Sequence, residues 1–221
     1  TPPPTTPPPT TPPPTTPPPT TPPPTTPPPT TPPPSGNTGW VSPTAQAAQS
    51  GGDGNGFQTS PTSAFADDSA YATDTDSGNG TSTSCTSTNK DRHAYYSYPI
   101  SILAGSTING IEVRLDSRAD STSGSPRHCV QLSWNNGSSW TAAKQTGTLT
   151  TSMATRTLGS ASDNWGRTWT TGELTSATLR VRITNVASST SRDFYLDWVP
   201  VRVTYGGTTP PPTTPPPTTP P

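Results

Sequence analysis

Four segments of the chain alternate between apolar and polar side chains, the period-two pattern of a strand buried on one face. Ile111, Val113 and Leu115 alternate with Glu112, Arg114 and Asp116, and Leu179, Val181 and Ile183 alternate with Arg180 and Arg182. Val130, Leu132 and Trp134 make the third set, and Phe194, Leu196 and Trp198 the fourth. After Pro200 the apolar set moves to Val201, Val203 and Tyr205. A bulge or change of face is therefore expected near that proline, which cannot donate to a ladder. Less regular patterns predict strands around Ala70–Thr75, His93–Ile102 and Thr146–Leu158, and an edge strand over Trp40–Gln49 that leads directly from the N-terminal segment. Helical periodicity is absent apart from a short turn around Thr170–Thr175.

Short strands separated by Gly, Ser and Asn turns predict an all-β fold, a single jelly-roll-like β-sandwich. One stretch is more specific. Ser133-Trp134-Asn135-Asn136-Gly137-Ser138-Ser139-Trp140 resembles the Asp-box hairpin, S-x-D-x-G-x-T-W, with Asn135 in the aspartate place. In such hairpins the polar residue bonds the turn, the glycine supplies positive φ and the last aromatic packs beneath. The resemblance implies a β architecture and carries no catalytic meaning.

The sandwich is expected over residues 35–206, roughly 170 residues, which is the size of one ordinary domain. On either side, over 1–34 and 207–221, Pro/Thr repeats take over, and the repeats contain no charged or large apolar side chain. Each proline fixes φ near −65° and removes an amide donor, which excludes helix and sheet and predicts polyproline II rods. At ~3.1 Å per residue the first rod would reach roughly 105 Å. A five-residue repeat on a three-residue turn rotates successive threonine pairs by about 240°, so hydroxyls face every side. This array predicts O-glycosylation at Thr5, Thr6, Thr10, Thr11, Thr15, Thr16, Thr20, Thr21, Thr25, Thr26, Thr30 and Thr31, and at Thr208, Thr209, Thr213, Thr214, Thr218 and Thr219. An unmodified linker is the plainer alternative. With no initiator methionine and no signal peptide, a mature or excised segment of a longer protein is expected.

The formal net charge is −1, so no basic balance marks a nucleic-acid partner, and no apolar run approaches a membrane span. Cys85 and Cys129 are the only cysteines. A Ser/Thr/Gly-rich chain with mucin-like tails points to an extracellular or cell-surface location, where the pair is expected to form a disulfide; two buried thiols are the alternative. Asn79 and Asn136 lie in N-glycan acceptor triplets.

Candidate chemistry is sparse. With only His93 and His128 in the chain, a nucleophilic triad or zinc site has few possible members, and no catalytic residue is assigned. Asp67 with Asp68, Asp74 with Asp76, and Asp53 in Asp53-Gly54-Asn55-Gly56 sit in loop-like sequence. Hard oxygen ligands in loops suit calcium, and Asp53, Asp67 and Asp68 are taken as the candidate ligands, against the alternative of solvated turn aspartates. No other cofactor is expected. Tyr95, Tyr96, Tyr98, Trp165 and Trp169 are candidates for stacking sugar rings; filling the core is the competing role.

Across Gly39–Tyr205 the segments WVSPTAQAAQ, FADDSAYAT, TINGIEVRL, VQLSWNNGSSW, SDNWGRTWT and RDFYLDWVPVRVTY carry a wider resemblance. The chain resembles the β-sandwich, carbohydrate-binding-module-like domains that bacterial surface proteins and secreted glycoside hydrolases string on Pro/Thr-rich linkers. Rods at both ends lead to the expectation of a non-enzymatic structural subunit of an extracellular glycosylated fibre, sheath or surface layer. Its partners would be copies of itself, joined by strand addition, and covalent glycans. The alternative is a carbohydrate-binding module tethered to a hydrolase or adhesin, with polysaccharide as partner.

Overall fold

The computed structural model describes Thr1 and residues 35–208. The expected rods, and the threonines from Thr5 to Thr31 and from Thr209 to Thr219, lie outside the described residues. Eleven strands form the domain: β1 (Gly36–Asn37), β2 (Ala45–Gln49), β3 (Ala72–Asp74), β4 (Arg92–Tyr96), β5 (Ser106–Ala119), β6 (Arg127–Ser133), β7 (Lys144–Gln145), β8 (Ala154–Gly159), β9 (Arg180–Val186), β10 (Phe194–Trp198) and β11 (Val201–Thr208). Short 3₁₀ turns occupy Pro61–Ala64 and Thr171–Glu173, the second at the place where a helical turn is expected.

The strands form two antiparallel sheets packed as a β-sandwich. In the five-stranded sheet the order is β2-β4-β9-β6-β7. In the six-stranded sheet β5 is the long central strand: Glu112 pairs with Arg202 of β11 on one side and Gly159 of β8 on the other. Strand β10 continues the β11 side, and β3 and β1 flank β10 and β11. The alternating apolar sets do what their period dictates. Ile111, Val113, Leu115, Phe194, Leu196, Val201 and Val203 face Val130, Leu132, Val181 and Ile183, and all are buried in one core.

The change of face falls three residues before Pro200. Register slips by one between Leu196↔Ser117 and Trp198↔Asp116, which makes Asp197 the extra residue. The slip turns Trp198 to the outer face and brings Val199, Val201 and Val203 inward. Asp197 is held there because its carboxylate accepts the backbone N–H groups of Ser69 (3.1 Å) and Asp68 (3.3 Å). The expected N-terminal edge strand is confined to β2, and β1, in the other sheet, precedes it. At the other end β11 runs through Gly206 and Gly207 to Thr208, which pairs with Ser106. Cys85 and Cys129 form the expected disulfide, with an S–S distance of 2.04 Å.

Candidate functional site

Arginines and aromatic rings cover both outer faces, but the two faces differ in charge. On the six-stranded sheet Arg202 stacks on Trp40 (4.4 Å) and grips Glu112 through two hydrogen bonds of 2.8 and 2.7 Å. Arg114 stacks on Trp198 (4.7 Å) and pairs with Asp116 (2.6 Å) and Asp67 (3.2 Å). Arg118, further along β5, stacks on Tyr195 (3.7 Å) without a carboxylate partner, but Arg202 and Arg114 already have their anions.

The five-stranded sheet has none. Its outward positions on β4, β9 and β6 are Arg92, Ala94 and Tyr96; Arg180, Arg182, Thr184 and Val186; and Arg127, Cys129, Gln131 and Ser133. Pairing sets them in cross-strand rows: Ala47–Ala94–Arg182–Gln131, and beside it Ala45–Tyr96–Arg180–Ser133. Arg180 lies 3.9 Å above the Tyr96 ring and donates through Nε to Oδ1 of Asn136 at 2.7 Å. Arg182 lies 4.1 Å above Trp140 and donates to Oε1 of Gln131 at 2.6 and 3.2 Å. Both guanidinium groups are thus fixed by neutral amides and stacked on rings, with their charge left uncompensated. Burial, with Arg92 beside it, pulls the Arg182 guanidinium down to about 10. Desolvated, preoriented arginines next to aromatic faces suit a ligand that offers both anionic groups and flat apolar surface.

Two loops frame these rows. The hairpin after β6 is fixed where Asn135 Oδ1 accepts the Ser139 N–H (2.8 Å) and Ser133 Oγ accepts that of Gly137 (2.8 Å). Gly137 has φ of 90°, and a Cβ there would lie 3.6 Å from the Trp140 ring, so the turn sits on the indole. At the opposite end the disulfide anchors the Cys85 loop to β6, and Arg92 donates to the Ser87 carbonyl (2.7 Å).

Most aromatics expected to stack sugar lie in the core. Tyr95 and Tyr98 are fully buried, with the Tyr98 hydroxyl donating to the Val199 carbonyl (2.9 Å). Trp165 and Trp169, in a loop of high turn content, fold inward because their indole N–H groups find the carbonyls of Ile111 (2.8 Å) and Asn164 (2.7 Å). All four are at most 4% exposed. Tyr96, half-buried on the outer face, stays in the site, and Trp140, Arg180, Arg182 and Gln131 join it. Their signal in the sequence was a strand whose polar positions are arginine without acidic partners, Arg180-x-Arg182, where β5 has Glu112-x-Arg114-x-Asp116.

The aspartates are also redistributed. Asp67 faces Arg114, and Asp68 turns its Oδ1 back to the Ala70 N–H (3.0 Å), so neither joins a cation site with Asp53. Asp53 instead meets Asp76 and Asp91, each offering a carboxylate oxygen within 4.8 Å of the others. Asp74, buried beside them, accepts from Asn185 Nδ2 (2.6 Å), and burial pushes its carboxyl up to about 9. Asp91, the residue just before β4, lies apart in sequence from the aspartate-rich loops and so escapes a sequence reading.

Two open recesses lie elsewhere. One, of about 390 Å³, borders the neutralised Arg202–Glu112 pair; the other, of about 420 Å³ between residues 105–108 and 168–171, has no charged lining. No membrane-length apolar helix occurs among the described residues. No protein-family model matches the chain, and no curated protein matches it. Among solved structures it is similar to the CBM22-1 and GH10 modules of an endo-1,4-β-D-xylanase, 10B, from Clostridium thermocellum, solved with xylohexaose. The identity is 13%, the TM-score 0.30, and the match covers 57% of this chain and 21% of that one.

Proposed function

We propose that the domain is an extracellular polysaccharide-binding module, carried on Pro/Thr segments, that takes a chain bearing carboxylate or sulfate groups across the outer face of the five-stranded sheet. The observation that carries this reading is the pair of ring-stacked, carboxylate-free arginines, Arg180 over Tyr96 and Arg182 over Trp140. A sugar acid supplies the missing counter-charge, and its pyranose faces fit the indole and phenol. The disulfide supports an oxidising location. With an overall charge of −1, the chain lacks the broad positive field that nucleic-acid binding draws on.

This reading is favoured over a fibre subunit built by strand addition. The edges β1, β3 and β7 have two, three and two residues, poor templates for a neighbouring strand, and strand addition at the longer edges, β2 with five residues and β8 with six, would leave the ring-stacked arginines without a role.

Affinity electrophoresis through gels containing polygalacturonate, a sulfated glycan, or neutral xylan tests the proposal. Retardation is expected in the first two gels, weakening as salt rises, with Arg182→Ala and Arg180→Ala each losing most of it. Equal mobility in all three gels for the unmodified protein would sink the proposal.

A further inference from the structure

Independently of the sugar face, the loops at its disulfide end contain a buried oxygen without a partner. Asp91 is 1% exposed; its Oδ1 accepts the Asp53 N–H (3.1 Å), whereas its Oδ2 is wholly buried and meets no donor. A buried carboxylate oxygen without a hydrogen bond is costly, so it calls for a cation or a proton. The oxygens nearest in kind are the carboxylates of Asp53 and Asp76, all within 4.8 Å of one another. Asn55, two residues from Asp53, adds a second buried oxygen without a donor, its Oδ1.

The backbone closes around Asp91. A Cβ on Gly52 would lie 1.9 Å from Asp91 Oδ1, and one on Gly78 2.9 Å from the Gly52 Cα. The two loops therefore meet over this carboxylate with no side chain between them. Charge counting favours a divalent ion. Lys90, buried with its Nζ on Ser77 Oγ (2.8 Å), is the one basic group placed against the cluster, so Asp53, Asp76 and Asp91 with Lys90 leave two negative charges.

We propose that Asp53, Asp76 and Asp91 ligate a calcium ion that ties the 51–56 and 75–80 loops to the start of β4. All-oxygen donors on three separate segments make a flexible cage, which suits calcium better than the small, rigidly octahedral magnesium ion.

The test is titration of the chelator-treated full chain with CaCl₂ at pH 7.5, read by calorimetry and by thermal denaturation, with MgCl₂ in parallel. Binding of one calcium ion per chain is expected, with a dissociation constant on the order of 0.1–1 mM, the range of extracellular modules. The melting temperature should rise with calcium and fall back on adding chelator. Asp53→Asn and Asp76→Asn, at positions that are not fully buried, should each weaken binding by at least about tenfold; Asp67→Asn should leave it unchanged. No heat of binding up to about 10 mM calcium, well beyond that range, would overturn the proposal, as would an equal response to magnesium. If Asp91→Asn stabilises the metal-free chain and the unmodified chain takes no calcium, a proton shared with Asp76 accounts for the orphan oxygen, and the ion is excluded.

Discussion

His128 is packed against Phe57 and Phe194, fully buried, with Nδ1 2.7 Å from Asn185 Oδ1 and Nε2 without a partner. Asn185 uses its amide N–H on Asp74, so its oxygen must accept, Nδ1–H donates, and Nε2 is the bare nitrogen. A second proton would place an N–H in apolar surroundings with no acceptor. Burial therefore pulls the imidazole down to about 4; the Asn185 bond acts against this and Arg156 adds to it. The sign follows from linkage. Above pH 6.5 both folded and unfolded chains hold a neutral ring, whereas between about 6.5 and 4 only the unfolded chain takes the proton, so stability from this group is lost as pH falls through that window. His128→Gln should therefore cost about 2 to 3 kcal/mol more at pH 7 than at pH 4.5 in denaturant unfolding, from 1.36 kcal/mol per pH unit. An equal cost at both values would mean that the folded ring takes up its proton as readily as the unfolded one. Trp140→Ala belongs to the same level of detail: it removes the platform under Arg182, and about 1–2 kcal/mol of sugar affinity should go with it, seen as weaker retardation in the acidic gels.

The bulge in β10 shows how an element can be displaced from its sequence signal. Proline marks the neighbourhood, but the position is chosen by the Asp197 carboxylate, which caps two N–H groups of the Asp68–Ser69 turn from a site 4% exposed. Losing hydrogen bonds to a charged acceptor costs about 2 kcal/mol. Asp197→Ala should lose that much and shift Trp198 emission as its outer-face packing loosens; a neutral substitution would show that the slip belongs to Pro200. The disulfide offers a second measurement. It closes a segment with a sequence separation of 44, worth about 4 kcal/mol in loop-closure entropy. Reduction, or Cys85→Ser with Cys129→Ser, should lower unfolding free energy by up to that amount and free the Cys85 loop from the edge of the binding face. Strands β5, β6, β9 and β10 were legible because seven or so residues of alternating polarity leave no other periodic solution. Strands β1 and β7 were not, since two residues carry no period. The sandwich was thus readable, while its site was only half so. Alternation tells which side chains point inward along a strand, but Tyr95, Tyr98, Trp165 and Trp169 were judged by type alone. For Tyr98 and Trp165 a carbonyl from a distant segment, Val199 and Ile111 respectively, receives the polar end of the buried ring.

The pairing of β1 with β11 sets Gly36 opposite Tyr205 and Asn37 opposite Thr204, so the chain enters and leaves the sandwich at one end of one sheet. Paired residues in such a ladder stand about 5 Å apart. A domain placed in line within a fibre would instead transmit tension between opposite ends. Entry and exit at one edge let the five-stranded sheet, on the opposite face of the sandwich, remain clear of both attachment points, which is what a displayed binding surface requires. Spin labels at positions 35 and 207 should therefore report a single short distance, under about 20 Å once label length is added to the ladder spacing; a separation approaching the length of the domain would restore the in-line arrangement. The same geometry gives the threonine repeats a definite role to test. We propose that they carry the O-glycans expected of Pro/Thr arrays, holding the polymer-binding face away from whatever the linkers join. Proteolytic peptides covering residues 1–34 and 209–221, taken from native material, should then show masses above those of the bare polypeptide chain. A mass equal to the bare chain would leave the repeats as spacers alone, and the sugar face would have to act without a glycan sheath beside it.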